Sequence, residues 1–257
     1  MIRKNNVKQK LKNREPVIGT FVKTTDASIV EILGNAGIEF FVLDTEHVSY
    51  NPETITNMVR AADISGIVPI VRIREMNAVN IMQALDTGAL GYHAPNVDTY
   101  EQAKIAVEAG RYAPLGNRGY APTHRAAQYG KMDKQDYINK ANSEVLTILH
   151  CETKEAVENL DQILTLEELD VIFIGPMDLS QSLGRDVMGK REHPELLKVI
   201  DQIIEKVNRA GKAIGTVADN VEMAQELIKK GVLYIPISSD QGMIANGANK
   251  IVNGFNT

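Results

Sequence analysis

Two carboxylates, an arginine and a histidine each stand just past an apolar run, and together they could hold a divalent cation and move a proton beside it. Glu152 follows the run that begins at Val145 and passes through His150 and Cys151, and Asp178 lies four residues beyond Ile174. Two hard oxygen donors suit a divalent cation that keeps waters and completes its shell from a substrate. Arg72 ends Val68-Pro69-Ile70-Val71. A guanidinium there can clamp a carboxylate or steady an enolate oxygen. His47 closes Asp44-Thr45-Glu46-His47 directly after Phe40-Phe41-Val42-Leu43. Its imidazole can serve as a general base near neutral pH, and Asp44 can orient its ring. Asp86 ends a helical pattern, where the helix dipole disfavours an acid, so it calls for a His or Arg partner.

Each residue has a plainer role when taken singly. Asp178 can cap a helix, Glu152 can be a first-turn acid, Arg72 can pair with a neighbouring strand-end acid, and His47 can be surface. Taken jointly they favour a site. The turn Gly175-Pro176-Met177-Asp178 precedes a helix start, whose free N–H groups bind anions such as a small carboxylate. Strand alternation turns Cys151 away from Glu152 and makes it a core residue. His150 is expected to share the side of Glu152 only if the strand breaks its alternation there, so its facing stays open, as does that of His93, and a zinc site of His93, His150 and Cys151 fails because the last two point apart. No lysine lies in the assigned strand ends, which disfavours a Schiff base. Gly116-Asn117-Arg118-Gly119 lacks the lysine of a phosphate loop and follows no strand.

These residues need a frame that gathers strand ends. Apolar runs predict strands near 16–21, 39–44, 68–72, 90–94, 145–151, 170–174, 213–216 and 232–237. Continuous runs of this kind mark parallel strands buried on both faces. Amphipathic patterns predict helices between most of them, for example at 27–36, 52–65, 78–87, 99–109, 194–209 and 221–230. Eight strands alternating with helices in 257 residues predict an α/β chain folded as one (β/α)8 TIM barrel over 1–257, with the active site at the C-terminal strand ends. Residues 95–144 form one long connection with a Gly/Pro/Arg/Tyr-rich segment after its helix, and long connections are usually functional.

Composition narrows the partners. The net charge is −5 with no long basic run, which argues against nucleic acid. No apolar stretch reaches the ~18 residues of a membrane span, and the polar N-terminus lacks a signal-peptide core. A single cysteine excludes an intrachain disulfide and fits a reducing cytoplasm.

From Gly19 to Phe255 the chain resembles the HpcH/HpaI aldolase family, the metal-dependent pyruvate aldolases. The matching stretches are Gly19-Thr20-Phe21, Asp44 to His47, Val71-Arg72, Leu85 to Gly88, Arg111 to Gly119, Glu152-Thr153 and Ile172 to Ser180. The resemblance implies reversible cleavage of a 4-hydroxy-2-oxo acid to pyruvate and an aldehyde. It also implies that Glu152 and Asp178 hold the cation, which pyruvate chelates through its keto oxygen and carboxylate. Arg72 would steady the enolate, His47 would be the base with Asp44 and Asp86 near it, and the backbone around Met177 and Asp178 would receive the carboxylate. A homohexamer that exchanges C-terminal helices is implied too, along with an N-terminal helix. Where the family usually has Gln, two residues before the cation-binding Glu, this chain has His150. His93 stands where an apolar residue is more usual. Both imidazoles are candidates to line the substrate site. Two rivals remain: a malyl- or citramalyl-CoA lyase of the citrate-lyase β type, and a barrel that binds a keto acid without turnover.

Overall fold

The computed structural model describes residues 1–255, so the last two residues of the expected 1–257 barrel lie outside it. The strands are β1 (Val17–Val22), β2 (Phe40–Asp44), β3 (Val68–Arg72), β4 (Gly91–Ala94), β5 (Leu146–Cys151), β6 (Val171–Ile174), β7 (Ala213–Thr216) and β8 (Tyr234–Ser239). All neighbours are parallel, and β8 pairs with β1 to close the barrel. Nearly every strand residue is buried, as expected for strands covered by helices outside and side chains inside. Each observed strand starts and ends within two residues of its predicted range.

The helices are α1 (Asn6–Lys12), α2 (Ser28–Asn35), α3 (Pro52–Ser65), α4 (Ala78–Asp86), α5 (Tyr100–Ala109), α6 (Lys134–Glu144), α7 (Lys154–Ile163), α8 (Pro176–Leu183), α9 (Pro194–Arg209), α10 (Val221–Lys229) and α11 (Asp240–Phe255). Starts follow side-chain caps: Asn51 accepts from the Thr54 N–H ahead of Pro52, and Thr99 forms a capping box with Gln102. No helix among the described residues is long and apolar enough to cross a membrane.

The barrel interior is aromatic. Phe40 stacks on Tyr234 with ring centroids 4.2 Å apart, and Phe21 meets Phe173 edge-on. Gly19, on β1, is what admits the Phe40 ring, because a Cβ at that position would overlap it. The N-terminal strand ends are braced by buried charge. Lys8 of α1 donates to the Val145 carbonyl and to Asp170, and the fully buried Arg111 reaches Glu168 and Asp170. The connection 95–144, expected to be functional, thus packs its Arg111 segment against the end of the barrel opposite to the C-terminal strand ends. At the other extreme of the chain, α11 leaves Ile244, Ile251, Val252 and Phe255 exposed and buries Asp240 alone.

Gly19→Ala should lower stability by about 1–3 kcal/mol, the usual cost of forcing volume into a packed core. Urea unfolding measures it, and an unchanged midpoint would show that the Phe40 ring has room to move.

Candidate active site at the mouth of the barrel

A cavity of about 320 Å³ opens at the C-terminal strand ends, with Arg72, His150, Glu152 and the turn Gly175 to Asp178 in its wall. Glu152 comes directly after β5 and Asp178 lies in the first turn of α8. The two carboxylates converge above Gly175. A Cβ built on that glycine would stand 2.5 Å from Glu152 Oε2 and 3.5 Å from Asp178 Oδ2. The missing side chain at position 175 therefore keeps open the space between the two oxygens. Glu152 is held from both sides: Oε1 accepts from the Asn96 N–H at 2.9 Å, and Oε2 lies 2.9 Å from His150 Nδ1. Burial alone would raise its pKa, but His150, the Asn96 N–H and the Arg72 charge outweigh that and bring it to about 2.

This donor set fits a hard divalent cation. Both donors are oxygens, and Glu152 is held ionised. No three His, Cys, Asp or Glu side chains gather in a ligating group among the described residues. An ion here would take Glu152 and Asp178 from the protein and the remainder of its shell from water and substrate.

Arg72 ends β3 opposite Asp44, which ends β2, in direct register. Its Nε and Nη2 reach the two Asp44 oxygens at 3.0 and 2.7 Å, and its Nη1 lies 3.2 Å from Glu46 Oε2. The guanidinium also lies over the Phe21 ring. Asp44 is fully buried; the Arg72 guanidinium overcomes the effect of that burial and holds its carboxyl below the ordinary range. Of these contacts only the Nε–H to Asp44 Oδ1 has hydrogen-bond geometry; the buried Asp44 Oδ2 has no hydrogen-bond partner, and the Nη1 and Nη2 contacts are ion pairs. Asp44 does not orient the His47 ring, however. It accepts only the His47 backbone N–H, and the carboxylate nearest the ring is Glu46, at 3.9 Å. The His47 side chain is 59% exposed and is not among the residues that line the cavity.

Asp86 finds the basic partners its position calls for, but they are Arg118 at 2.6 Å and His124 at 3.4 Å rather than His47. The reason is topological. Asp86 ends α4, and a helix that follows a parallel strand runs back to the opposite end of the barrel.

The alternation of β5 is unbroken, so His150 shares the Glu152 side and Cys151 faces the core, where burial pushes its thiol up to about 12. His93 does not face the mouth. It is fully buried inside the barrel, 2.9 Å from His150 and 2.9 Å from the Tyr234 hydroxyl. Both ring nitrogens of His150 are thereby engaged, which leaves it only a ring surface to present to substrate.

Three residues in and around the site had been given no role. Lys23 lines the cavity one residue past β1, with its ammonium 3.7 Å from Asp44; the predicted strand stopped two residues short of it, so a lysine does reach the mouth. Glu46 was present in the motif, and its contact with Arg72 emerges only from the fold. Tyr234 opens an apolar strand that offers no polar signal.

The sequence pattern of the HpcH/HpaI aldolase/citrate lyase family matches residues 17–247. The chain is 34% identical to a 2-dehydro-3,6-dideoxy-6-sulfogluconate aldolase of Pseudomonas putida, over 94% of this chain and 93% of the relative. It is 34% identical to a 4-hydroxy-2-oxo-heptane-1,7-dioate aldolase of Klebsiella pneumoniae subsp. pneumoniae, over 98% and 94%. Among solved structures, a HpcH/HpaI aldolase/citrate lyase family protein from Burkholderia cenocepacia J2315 superposes with a TM-score of 0.92 at 27% identity, covering 98% of this chain and all of that one. The citrate synthase SbnG superposes with a TM-score of 0.87 at 30% identity, covering 97% and 96%.

The depressed pKa of Glu152 has a sign that can be measured without any cation. The folded chain prefers the ionised form, so the stability it contributes is complete above the ordinary value of 4.5 and is lost as pH falls through about 2. Wild type and Glu152→Gln, unfolded by urea in chelator, should therefore differ most near neutrality and converge across that window. A gap that does not change with pH would contradict the assignment.

Proposed function

The chain belongs to the HpcH/HpaI aldolase/citrate lyase family, and from that footing we propose a divalent-metal-dependent aldolase. It reversibly cleaves a 4-hydroxy-2-oxo acid to pyruvate and an aldehyde. The observation that carries this reading is the convergence of Glu152 and Asp178 above Gly175, in one cavity with Arg72. An aldolase activity is also what the two named relatives share.

Glu152 and Asp178 are the residues that would hold the cation. When bound, it supplies a Lewis acid for the 2-oxo group. The chain's own groups do the rest. The N–H groups at Met177 and Asp178, in the first turn of α8, receive the substrate carboxylate. Arg72 is fixed by Asp44 and Glu46, so it meets charge developing on the C2 oxygen without reorganising. In the cleavage direction His47, at the rim beside Glu46, takes the proton of the 4-hydroxyl through water. The C3–C4 bond breaks, its electron pair forms the C2–C3 double bond as the carbonyl pair moves onto the C2 oxygen, and C3 then takes the proton back from His47 through water to give pyruvate. Phe21 and Phe173 line the cavity and limit water at the reacting carbon. The exposed apolar side chains of α11 support exchange of that helix between subunits of an oligomer.

Chelation should abolish aldol cleavage, and Mg2+, Mn2+ or Co2+ should restore it. Asp178→Ala should stay folded and inactive with each ion. Full turnover in excess chelator, with borohydride trapping pyruvate on Lys23, would replace this mechanism with a Schiff base.

A further inference from the structure

Beneath the mouth, four polar side chains form a single file inside the barrel. Glu152 Oε2 lies 2.9 Å from His150 Nδ1, His150 Nε2 lies 2.9 Å from His93 Nδ1, and His93 Nε2 lies 2.9 Å from the Tyr234 hydroxyl. They come from β4, β5 and β8 and the residue directly after β5, and none is more than 4% exposed. Phe173 packs against His150, His93 and Tyr234, and Phe21 against His93.

An ionised carboxylate only accepts, so the hydrogen between the first pair sits on His150 Nδ1. A neutral imidazole has one donor and one acceptor, so with both rings neutral His150 Nε2 accepts from His93 Nδ1–H, His93 Nε2 accepts from the Tyr234 hydroxyl, and every hydrogen points toward Glu152. A second hydrogen on His150 would reverse the two inner bonds. Burial holds His93 neutral and Tyr234 protonated.

Two imidazoles and a phenol cost desolvation that an aliphatic layer would not. A polar layer in a barrel core therefore calls for a purpose other than stability, and this one ends on a single carboxylate. We propose that Tyr234, His93 and His150 form a one-way hydrogen-bond file that locks the orientation of the Glu152 carboxylate and keeps Oε2 turned across Gly175 toward Asp178. His93 and Tyr234 are then positioning residues for the cation site, although neither touches it. The inference rests on Glu152 being a cation ligand, and it deepens that reading.

Solid-state 15N NMR of the histidine-labelled, cation-free protein tests the direction directly. His93 and His150 should both be neutral with hydrogen on Nδ1. Titration with Mn2+, followed by EPR of the free ion, tests the consequence. His93→Phe should weaken binding by about tenfold or more, the usual effect of removing a group that orients a metal ligand. His93→Asn, which keeps an N–H near the Nδ1 position, should remain within a few-fold of wild type. Tyr234→Phe preserves the ring stacked on Phe40 and should weaken Mn2+ binding less than His93→Phe, which covers the case in which the latter does not fold. Wild-type affinity in a folded His93→Phe or, failing that, in Tyr234→Phe, or hydrogen on Nε2 of His150, would overturn the proposal. Glu152→Gln separates the two levels. If it too binds Mn2+ like wild type, the cation reading has failed, and the tautomers alone decide whether the file exists.

Discussion

Arg72 facing Asp44 is the interaction on which the mouth of this barrel depends. Asp44 has no exposed surface, and a buried carboxylate without a partner would cost several kcal/mol. The partner comes from the neighbouring strand at the same level, in the register that pairs Asp44 with Arg72. One guanidinium then serves three ends. It neutralises Asp44, draws in Glu46 at 3.2 Å, and keeps hydrogens for a substrate oxygen. Because both acids are supplied by the segment that leads to His47, the pair also sets where that loop begins.

The two ends of the barrel use charge differently. At the N-terminal strand ends, Lys8, Arg111, Glu168 and Asp170 form a cluster of ion pairs that closes the interior. At the C-terminal ends, the absence of a side chain at Gly175 lets Glu152 and Asp178 converge, and in the proposed reading a cation relieves their mutual repulsion. Between these layers lies the aromatic interior of Phe21, Phe40, Phe173 and Tyr234, crossed by the imidazoles of His93 and His150.

Much of this was legible in the sequence because parallel strands buried on both faces write themselves as apolar runs. Those runs placed Asp44, Arg72, Glu152 and the Gly175 turn at strand ends before any coordinate was known. What escaped had physical reasons. α7 follows the Glu152 strand at once and its start rests on Thr153 as a cap, a weak signal next to the chemistry before it. The two-residue period that turns Cys151 to the core also puts His150 with Glu152, so the break in alternation expected for that pairing is not needed. Asp86 needed Arg118, thirty-two residues away, and Tyr234 is ordinary in an apolar strand until His93 is placed beside it.

Deuterium exchange at the pyruvate methyl group, followed by NMR in heavy water, tests the central claim most directly, because it needs no knowledge of the aldehyde. The account predicts exchange by the wild-type chain with a divalent cation present and none in excess chelator. Exchange that persists in chelator, or no exchange with any cation, would contradict it.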